Sequence, residues 1–235
     1  MIVSIHQPAY LPWLGYLQRI AASDLHVTLD HVQFEKNSFV NRNRIRTSDG
    51  WCWLTVPVRT RHRYGALPIN EVEIENGSRW RTRHWNAIRQ NYGRAPYFAD
   101  HAAFFEDVYR RRWRRLTDLC RVTTEYLLEA FGIQTPIRHS TALEPRCVKD
   151  ELVLELCQRV GADVYLSGAL GRNYLREGLF AQAGIRVLYQ DYQHPQYRQC
   201  RGRGFEPFMS TLDLLLNCGP DSRQILTGNQ VPVTV

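Results

Sequence analysis

The chain has 235 residues, of which 44% are hydrophobic and 23% charged, and its formal net charge is +7. This composition is typical of a globular protein, and the length suits one domain with a sizeable insertion. No apolar run approaches the ~20 residues of a membrane helix, and the N-terminus lacks the features of a signal peptide. We therefore expect one domain over residues 1–235, without a membrane span and located in the cytoplasm.

The basic charge suits an anionic partner such as a nucleotide, a nucleotide sugar, tRNA or an anionic membrane surface. Its densest run surrounds Trp113, from Arg110 to Arg115. We interpret this run first as a solvated helix face paired with Glu106 and Asp107, and nucleic-acid binding stays open. The six cysteines include no CxxC pair and no Cys/His cluster at zinc-ligand spacing, so we expect no metal site.

The first part of the chain predicts a βαβ unit. Residues 2–5 form an apolar run of strand character, and Leu14, Leu17 and Ile20 give a helical stripe. Residues 26–30 then read as a second strand that ends in the carboxylate of Asp30. Two strands joined by a short helix are expected to be parallel, with a right-handed connection.

Residues 33–75 predict a β-rich insertion that forms one wall of a cleft. Ser48-Asp49-Gly50 is a turn signal between one strand ending near Thr47 and another over residues 51–58. Residues 69–74 alternate apolar and charged side chains, which predicts a third antiparallel strand. The insertion contributes three candidate site residues: Lys36, Asn41 and Arg42.

Residues 78–131 predict a helical cover, with a break at 93–96 and one or two helices over 100–131. Short strands then alternate with helices: strand 136–139, helix 149–160, strand 163–167, helix 173–183, strand 185–190 and a last helix over 209–217. Such alternation implies a parallel sheet, here of about five strands. The predicted class is α/β: a Rossmann-like, mostly parallel sheet with a β-hairpin insertion and a helical cover.

The loop after the first strand carries a dense set of polar and aromatic side chains. Small molecules bind α/β proteins beyond the carboxyl ends of the strands, so this loop is a candidate site. His6 could act as a general base or hydrogen-bond a phosphate, while packing of a proline-braced turn is the alternative. The candidate substrate-binding residues here are Gln7, Tyr10, Trp13, Gly15 and Tyr16, together with Asp30 after the second strand.

Two later loops also follow predicted strands. In the first, exposed N–H groups at a helix N-terminus and the charge of Arg172 would bind a phosphate or carboxylate; an ordinary βα turn is the alternative. Its other candidates are Ser167, Gly168, Gly171, Asn173 and Tyr174. The other later loop, which is the third candidate loop of the chain, offers His194 as a catalytic candidate and Tyr197 as a binding candidate. All three loops are expected at one edge of the sheet.

Several stretches together resemble the WbqC-like family: IHQPAYLPWLGYLQRI, LDHVQFEKNSFVNRNRIR, WLTVPV, YLSGALGRNYL, HPQYRQ and FEPFMSTLDLLLNCG. The similarity runs in order from residue 2 to about residue 219. The resemblance implies a bacterial protein of O-antigen, other surface-polysaccharide or natural-product biosynthesis, with a proposed role in transferring glycine or another amino acid. It supplies no list of catalytic residues.

We therefore expect a transferase or ATP-dependent ligase that moves an aminoacyl group, such as glycyl, or an acyl group onto a sugar or nucleotide sugar. In an adenylation route, with ATP as the candidate cofactor, Gly15 and the Ser167-Gly168 turn would hold phosphates. Lys36, Arg42 and Arg172 would neutralise charge, and His6 would be the base. The alternative is a non-catalytic binding protein for a nucleotide sugar or another anionic ligand.

Overall fold

A computed structural model describes residues 1–60, 63 and 65–228 of the chain. Residues 61, 62 and 64 of the predicted insertion and residues 229–235 of the predicted single domain lie outside the described residues. The elements run in the order β1 (Ile2–His6), α1 (Leu14–Ala21), β2 (Leu25–Thr28), β3 (Arg42–Thr47), β4 (Gly50–Thr55), β5 (Val58–Arg59), β6 (Glu73–Ile74), α2 (Trp80–Tyr92), α3 (Phe98–Arg110), α4 (Leu116–Ala130), β7 (Ile137–His139), α5 (Lys149–Val160), β8 (Val164–Ser167), α6 (Glu177–Gln182), β9 (Arg186–Tyr189), α7 (Thr211–Cys218) and α8 (Ser222–Thr227).

The central sheet has five strands in the order β7-β2-β1-β8-β9, and every neighbouring pair is parallel. This confirms the predicted Rossmann-like α/β class. From β1 the chain adds β2 and then β7 on one side, and later β8 and β9 on the other. The strand order therefore reverses between β1 and β8. In open α/β sheets, ligands bind in the crevice at such a switch point, beyond the carboxyl ends of the strands.

Alternate side chains of the sheet enter two different layers, as the period of a strand requires. Val3, Ile5 and Val27 pack in an apolar core with α5 and α6. The opposite face of β1 and β2 carries Ser4 and His26, whose Oγ and Nδ1 atoms lie 2.9 Å apart beneath α1. The second core lies on that side and is formed with α1, α2, α3, α4 and α7. A row of polar groups is thus buried between the sheet and α1.

The predicted hairpin is present as β3 and β4, but the predicted third strand is largely absent. Residues Ile69–Glu71 form a 3₁₀ turn, and only β6 pairs, with β5, in a separate two-stranded sheet. The physical reason is a different set of backbone partners. The N–H of Ile69 donates to Val32 O and that of Asn70 to Asp30 O. These bonds tie the segment to the loop after β2 instead of to the hairpin.

The helical pattern of residues 100–131 divides into α3 and α4. The arginine run was expected on a helix face, and that prediction is wrong beyond Arg110, the last residue of α3. Arg111 has extended backbone angles, φ −66° and ψ 150°. The segment lies against β6, where Ile74 N–H donates to Arg114 O and Leu116 N–H donates to Val72 O. Pairing with a distant strand replaces the helical hydrogen bonds here.

The helix predicted over 173–183 is also shorter than expected. A 3₁₀ turn, Ala169–Asn173, follows β8 directly, and α6 begins only at Glu177 and has six residues. A 3₁₀ helix with Gly168 as its N-cap therefore follows Ser167, and the anion-binding role of this turn stays a prediction. Among the described residues, no helix is long and apolar enough to cross a membrane.

Candidate functional site

The crevice between the carboxyl ends of β1 and β8 is formed by His6 and Gln7 on one side and the Ser167-Gly168 turn on the other. Helix α1 runs beside it and contributes Arg19. A Cβ atom at Gly168 would overlap the Arg19 guanidinium, so glycine permits the close approach of turn and side chain. The first two predicted loops thus meet at the switch point of the sheet.

Arg19 is the unusual residue of this crevice. Its relative exposure is 4%, its Nε is buried without a hydrogen-bond partner, and its guanidinium makes no ion pair within the described residues. Burial lowers its pKa, and the ionisable side chains that act on it most are tyrosines: Tyr165, Tyr16 and Tyr174. A buried charge is costly unless it is paired. The arrangement is therefore suited to an anion, and a guanidinium fork matches a carboxylate or phosphate.

His6 lies next to Arg19 and is held in one orientation. Its Nδ1–H donates to Gln7 O at 2.9 Å, which leaves Nε2 as the acceptor nitrogen, and its ring meets the Tyr16 ring edge-on at 5.1 Å. Burial, and then the charge of Arg19, lower the pKa of His6 to about 3. His6 is therefore neutral near pH 7 and is suited to accept a hydrogen bond. It is a weak general base in this state, because an effective base has a pKa near the working pH.

A second polar cluster lies across Tyr16, at the carboxyl ends of β2 and β7. Asp30 Oδ1 accepts hydrogen bonds from Ser140 Oγ (2.8 Å), Thr141 N (2.9 Å) and Thr141 Oγ1 (2.7 Å), while Oδ2 lies 3.5 Å from His139 Nδ1. Burial alone would raise the pKa of Asp30, but the hydrogen bonds from His139, Thr141 and Ser140 outweigh it and lower the pKa. Asp30 is thus a fixed negative charge at neutral pH.

Asp30 lines a small cleft, with a cavity volume of about 30 Å³, that is open to solvent. The cleft lies between the edge of the sheet and α4, and its other lining residues include Tyr16, Thr28, His139, Thr124 and Glu125. Among the described residues, no group of three or more His, Cys, Asp and Glu side chains is arranged to hold a metal ion. The carboxyl edge of the sheet therefore offers a cationic subsite at Arg19 and an anionic one at Asp30.

Several candidates of the first loop have packing roles. The Tyr10 hydroxyl is buried and lies 2.9 Å from His84 Nδ1 and 2.5 Å from Tyr109 OH. The Trp13 ring packs edge-on against Tyr192 at 5.0 Å and also covers Gly15. The tryptophan ring therefore requires a glycine at position 15, and the phosphate-binding role of Gly15 stays a prediction.

Gly15→Ala is expected to destabilise the fold by about 2 kcal/mol, because a Cβ atom there would overlap the Trp13 ring and force repacking of a buried site. Urea unfolding followed by circular dichroism measures the change. Gly178→Ala, at an exposed helical position with open space around its Cα, is the control and should not destabilise. A Gly15→Ala protein as stable as the wild type would contradict the close packing of Trp13.

In the second loop, Arg172 packs on β9, the strand next to β8. Its guanidinium stacks on the Tyr189 ring at 4.1 Å. Ser167 Oγ donates to Gly168 O at 3.2 Å, and Gly171 is buried beside it, where a Cβ atom would overlap Ser167 Oγ. Asn173 and Tyr174 are exposed at the end of the turn. The structure thus gives Ser167 and Gly171 roles in shaping the turn.

The third loop is held together by its own hydrogen bonds. His194 Nδ1–H donates to Pro195 O, and Nε2 accepts from Phe208 N–H, each at 2.9 Å. Both ring nitrogens are therefore occupied, which leaves no free nitrogen for proton transfer. Tyr197 OH donates to the buried Asp213 at 2.8 Å. His194 and Tyr197 are thus held by the loop and by α7, while Gln190 at the start of the loop bonds α1 through Gly15 O and Gln18 Oε1.

The candidates of the insertion are also separate from the crevice contacts. Asn41 is buried and its Nδ2 donates to Val56 O at 2.9 Å. Arg42 stacks on Trp53 of the hairpin, 4.2 Å from guanidinium carbon to ring centroid. Lys36 is exposed in the loop before the hairpin. Of the predicted site residues, the structure brings together His6, Gln7, Tyr16, Ser167 and Gly168, with Asp30 in the adjoining cleft.

A family model described as the WbqC-like protein family matches residues 7–225. The chain belongs to the WbqC-like family. This confirms the resemblance carried by the sequence motifs, and membership suggests a role in polysaccharide-related biosynthesis. A protein of Mycobacterium tuberculosis is 37% identical over 226 residues, covering 95% of this chain and 96% of that protein, and it is itself described as uncharacterized. No solved structure matches the chain significantly.

Proposed function

We propose that this WbqC-like protein is a transferase that moves an aminoacyl group, such as glycyl, or another acyl group onto a sugar or nucleotide sugar in cell-surface polysaccharide biosynthesis. The observation that carries the proposal is the unpaired, buried guanidinium of Arg19 at the switch point of the sheet. It supports the binding of a carboxylate or phosphate in the crevice where α/β enzymes hold their substrates.

The two charged subsites fit a zwitterionic donor. Arg19 would bind its carboxylate and the Oδ2 atom of Asp30 would attract its ammonium group, with the Tyr16 ring between them. His6 Nε2 is an acceptor for the hydroxyl or amine of the incoming sugar. Burial is the larger cause of the low pKa of His6 and the charge of Arg19 the second, so an anion on Arg19 would offset the second cause. Ligand binding is therefore expected to raise that pKa and make His6 a better base.

Activation by ATP completes the chemistry of this proposal. The donor carboxylate attacks the α-phosphorus of ATP and expels pyrophosphate, giving an acyl adenylate. The sugar hydroxyl or amine then attacks the acyl carbon, its proton passes to His6 or to water, and AMP leaves. Arg19 is the residue of the crevice suited to the phosphate charge, since Gly15 is covered by Trp13 and Arg172 lies on Tyr189.

One observation favours a second candidate, a non-catalytic binding protein for a nucleotide sugar or another anionic ligand. With a pKa of about 3, His6 in the free protein recognises ligands as a hydrogen-bond acceptor and takes up protons poorly. Turnover separates the two candidates. Incubation with ATP, glycine and a UDP-sugar should yield AMP and a glycyl mass increase on the sugar. Binding of the UDP-sugar without any product would favour the second candidate.

His6→Ala is expected to lower turnover at least tenfold, because it removes the acceptor nitrogen beside Arg19, within the ~10²–10⁴-fold span of general acid–base effects. His6→Gln places an amide near the former Nε2 position and should retain substrate affinity better than His6→Ala. His101→Gln is the matched control, since His101 bonds Tyr126 OH at 2.7 Å on another face of the protein. Full activity in His6→Ala, measured as AMP release, would contradict the assignment.

A further inference from the structure

The arginines of the chain divide into paired and unpaired sets. In the run that dominates the sequence, four arginines share two carboxylates: Arg110 and Arg111 pair with Asp107 at 3.0 and 2.6 Å, while Arg114 and Arg115 lie 3.3 and 3.6 Å from Glu73. Arg42 and Arg44 of β3 make no ion pair with a carboxylate in the part of the chain that the structure describes. Two arginines without a carboxylate partner therefore lie side by side on the hairpin.

These two arginines form a stack with two tryptophans of β4. The guanidinium of Arg42 lies 4.2 Å from the Trp53 ring centroid, and that of Arg44 lies 5.5 Å from Trp53 and 4.9 Å from Trp51. The order along the surface is thus Arg42, Trp53, Arg44, Trp51. The Nε atoms of both arginines are buried without a hydrogen-bond partner. We call these four side chains the Arg–Trp stack.

The two tryptophans of the stack are exposed, its two arginines are half-buried, and the hairpin beneath them is anchored in the core. Trp51 and Trp53 are 41% and 36% exposed. Large aromatic side chains stabilise a fold most when they are buried, so two exposed tryptophans side by side are unusual. The opposite face of the hairpin is fixed in the protein core by Ile45 and Leu54. Antiparallel pairing over six residue pairs holds the two strands in register. The four side chains are therefore preorganised on a rigid support and do not need to be ordered by a ligand.

We propose that the Arg–Trp stack is a binding site for single-stranded nucleic acid. Proteins bind single strands through basic groups that follow the phosphates and aromatic side chains on which bases stack. The stack repeats a cation and an aromatic ring twice along the strands. Successive side chains on one face lie about 7 Å apart, so the repeat suits more than one nucleotide. The net charge of +7 supports a polyanionic partner.

This inference goes beyond the proposed function and is tested by binding alone. The probes are a fluorescein-labelled 15-nucleotide uridine RNA and the matching thymidine DNA, titrated with the full chain at several salt concentrations. The wild type should bind both at low salt, with affinity that falls as salt rises. The slope of log K against log salt is negative, and Arg42→Gln/Arg44→Gln should reduce its magnitude by about 1.4, because each of the two lost phosphate contacts contributes about 0.7.

Trp53→Ala should weaken binding about 5-fold or more without changing the salt slope, because stacking is lost while the phosphate contacts remain. Arg110→Gln/Arg111→Gln is the matched control: it removes the same charge from paired arginines and should leave affinity and slope nearly unchanged. Because hairpin variants can also lose structure, the binding site is located on the wild-type protein as well. Photocrosslinking to a 4-thiouridine oligonucleotide should label the peptide that contains Trp51 and Trp53.

Four results would overturn the proposal. The first is no binding of either oligonucleotide at low salt. The second is equal loss of affinity in the paired-arginine control, which would indicate general attraction to a basic protein. The third is equal or stronger competition by UMP or by polygalacturonate at matched charge, which would assign the stack to a mononucleotide or to an acidic polysaccharide. Crosslinks elsewhere and none on β4 would count equally against it.

Discussion

Arg19→Met is expected to weaken anion binding in the crevice about 100-fold while leaving the free energy of unfolding unchanged or higher. Two hydrogen bonds from a guanidinium to a charged ligand contribute about 3 kcal/mol or more, which corresponds to that loss in affinity. In the absence of ligand, Arg19 is a buried charge without an ionic partner. Replacing a buried charge by an apolar side chain of similar length is often neutral or stabilises by about 1–4 kcal/mol.

The opposite signs of these two effects distinguish a ligand-binding arginine from a structural one. Phosphate, acetate and ATP are titrated separately, and the His6 imidazole signals in NMR report binding within the crevice. Urea unfolding gives the stability. Arg159→Met is the control, because Arg159 pairs with Glu155 at 2.7 Å on α5 and should not affect the crevice. A destabilised Arg19→Met protein that binds these anions as the wild type does would make Arg19 structural. So would a wild type that binds none of them.

The location of the crevice could be predicted from the sequence, because it depends on local patterns. The strand of residues 2–5, the following helix and the strand before Ser167 each have a clear periodicity. Parallel strands then bring their carboxyl ends to one edge. This is why His6, Tyr16 and Ser167 could be placed together before the fold was known.

Arg19 was missed because its importance depends on what is absent around it. In the sequence it sits near the end of a short helix, between Gln18 and Ile20, where an arginine ordinarily reaches solvent. One signal was available in the sequence: the segment that forms α1 is mostly apolar, which indicates a buried helix. In the structure, residues 14–20 of α1 are indeed all buried. That no carboxylate meets the guanidinium is a property of the packed fold. Local sequence does not contain it.

The Asp30 cluster and the arginine run show the same limit. Asp30 was predicted from its place at a strand end, but its partners Ser140 and Thr141 lie 110 and 111 residues away. The extended shape of the arginine run depends on hydrogen bonds to β6, about 40 residues earlier in the chain. Long-range contacts of this kind override local helical periodicity.

Asp30→Asn is expected to lower the free energy of unfolding by about 3 kcal/mol at pH 7. Three donors from Ser140 and Thr141 converge on one oxygen of the carboxylate. Hydrogen bonds to a charged acceptor are worth about 1 kcal/mol more each than those to a neutral one. The amide also replaces the oxygen that faces His139 by a donor. The variant should therefore loosen the loop after β7 that forms one side of the cleft.

The pH dependence gives this prediction its sign. The folded-state pKa of Asp30 is lowered below its ordinary value, since the hydrogen bonds outweigh the effect of burial. Its ionised form therefore stabilises the fold above about pH 4, and this contribution is lost as the pH falls towards the folded-state pKa. The gap in stability between wild type and Asp30→Asn should narrow from pH 7 to pH 3 in urea unfolding.

Asp118→Asn is the control. It lies at an exposed position in the first turn of α4 and should change the free energy of unfolding by no more than about 0.5 kcal/mol. A gap that stays constant down to pH 3 would show that the carboxylate charge is not what joins the loops after β2 and β7. The anionic subsite of the cleft would then lose its physical basis, while the cationic subsite at Arg19 would be unaffected.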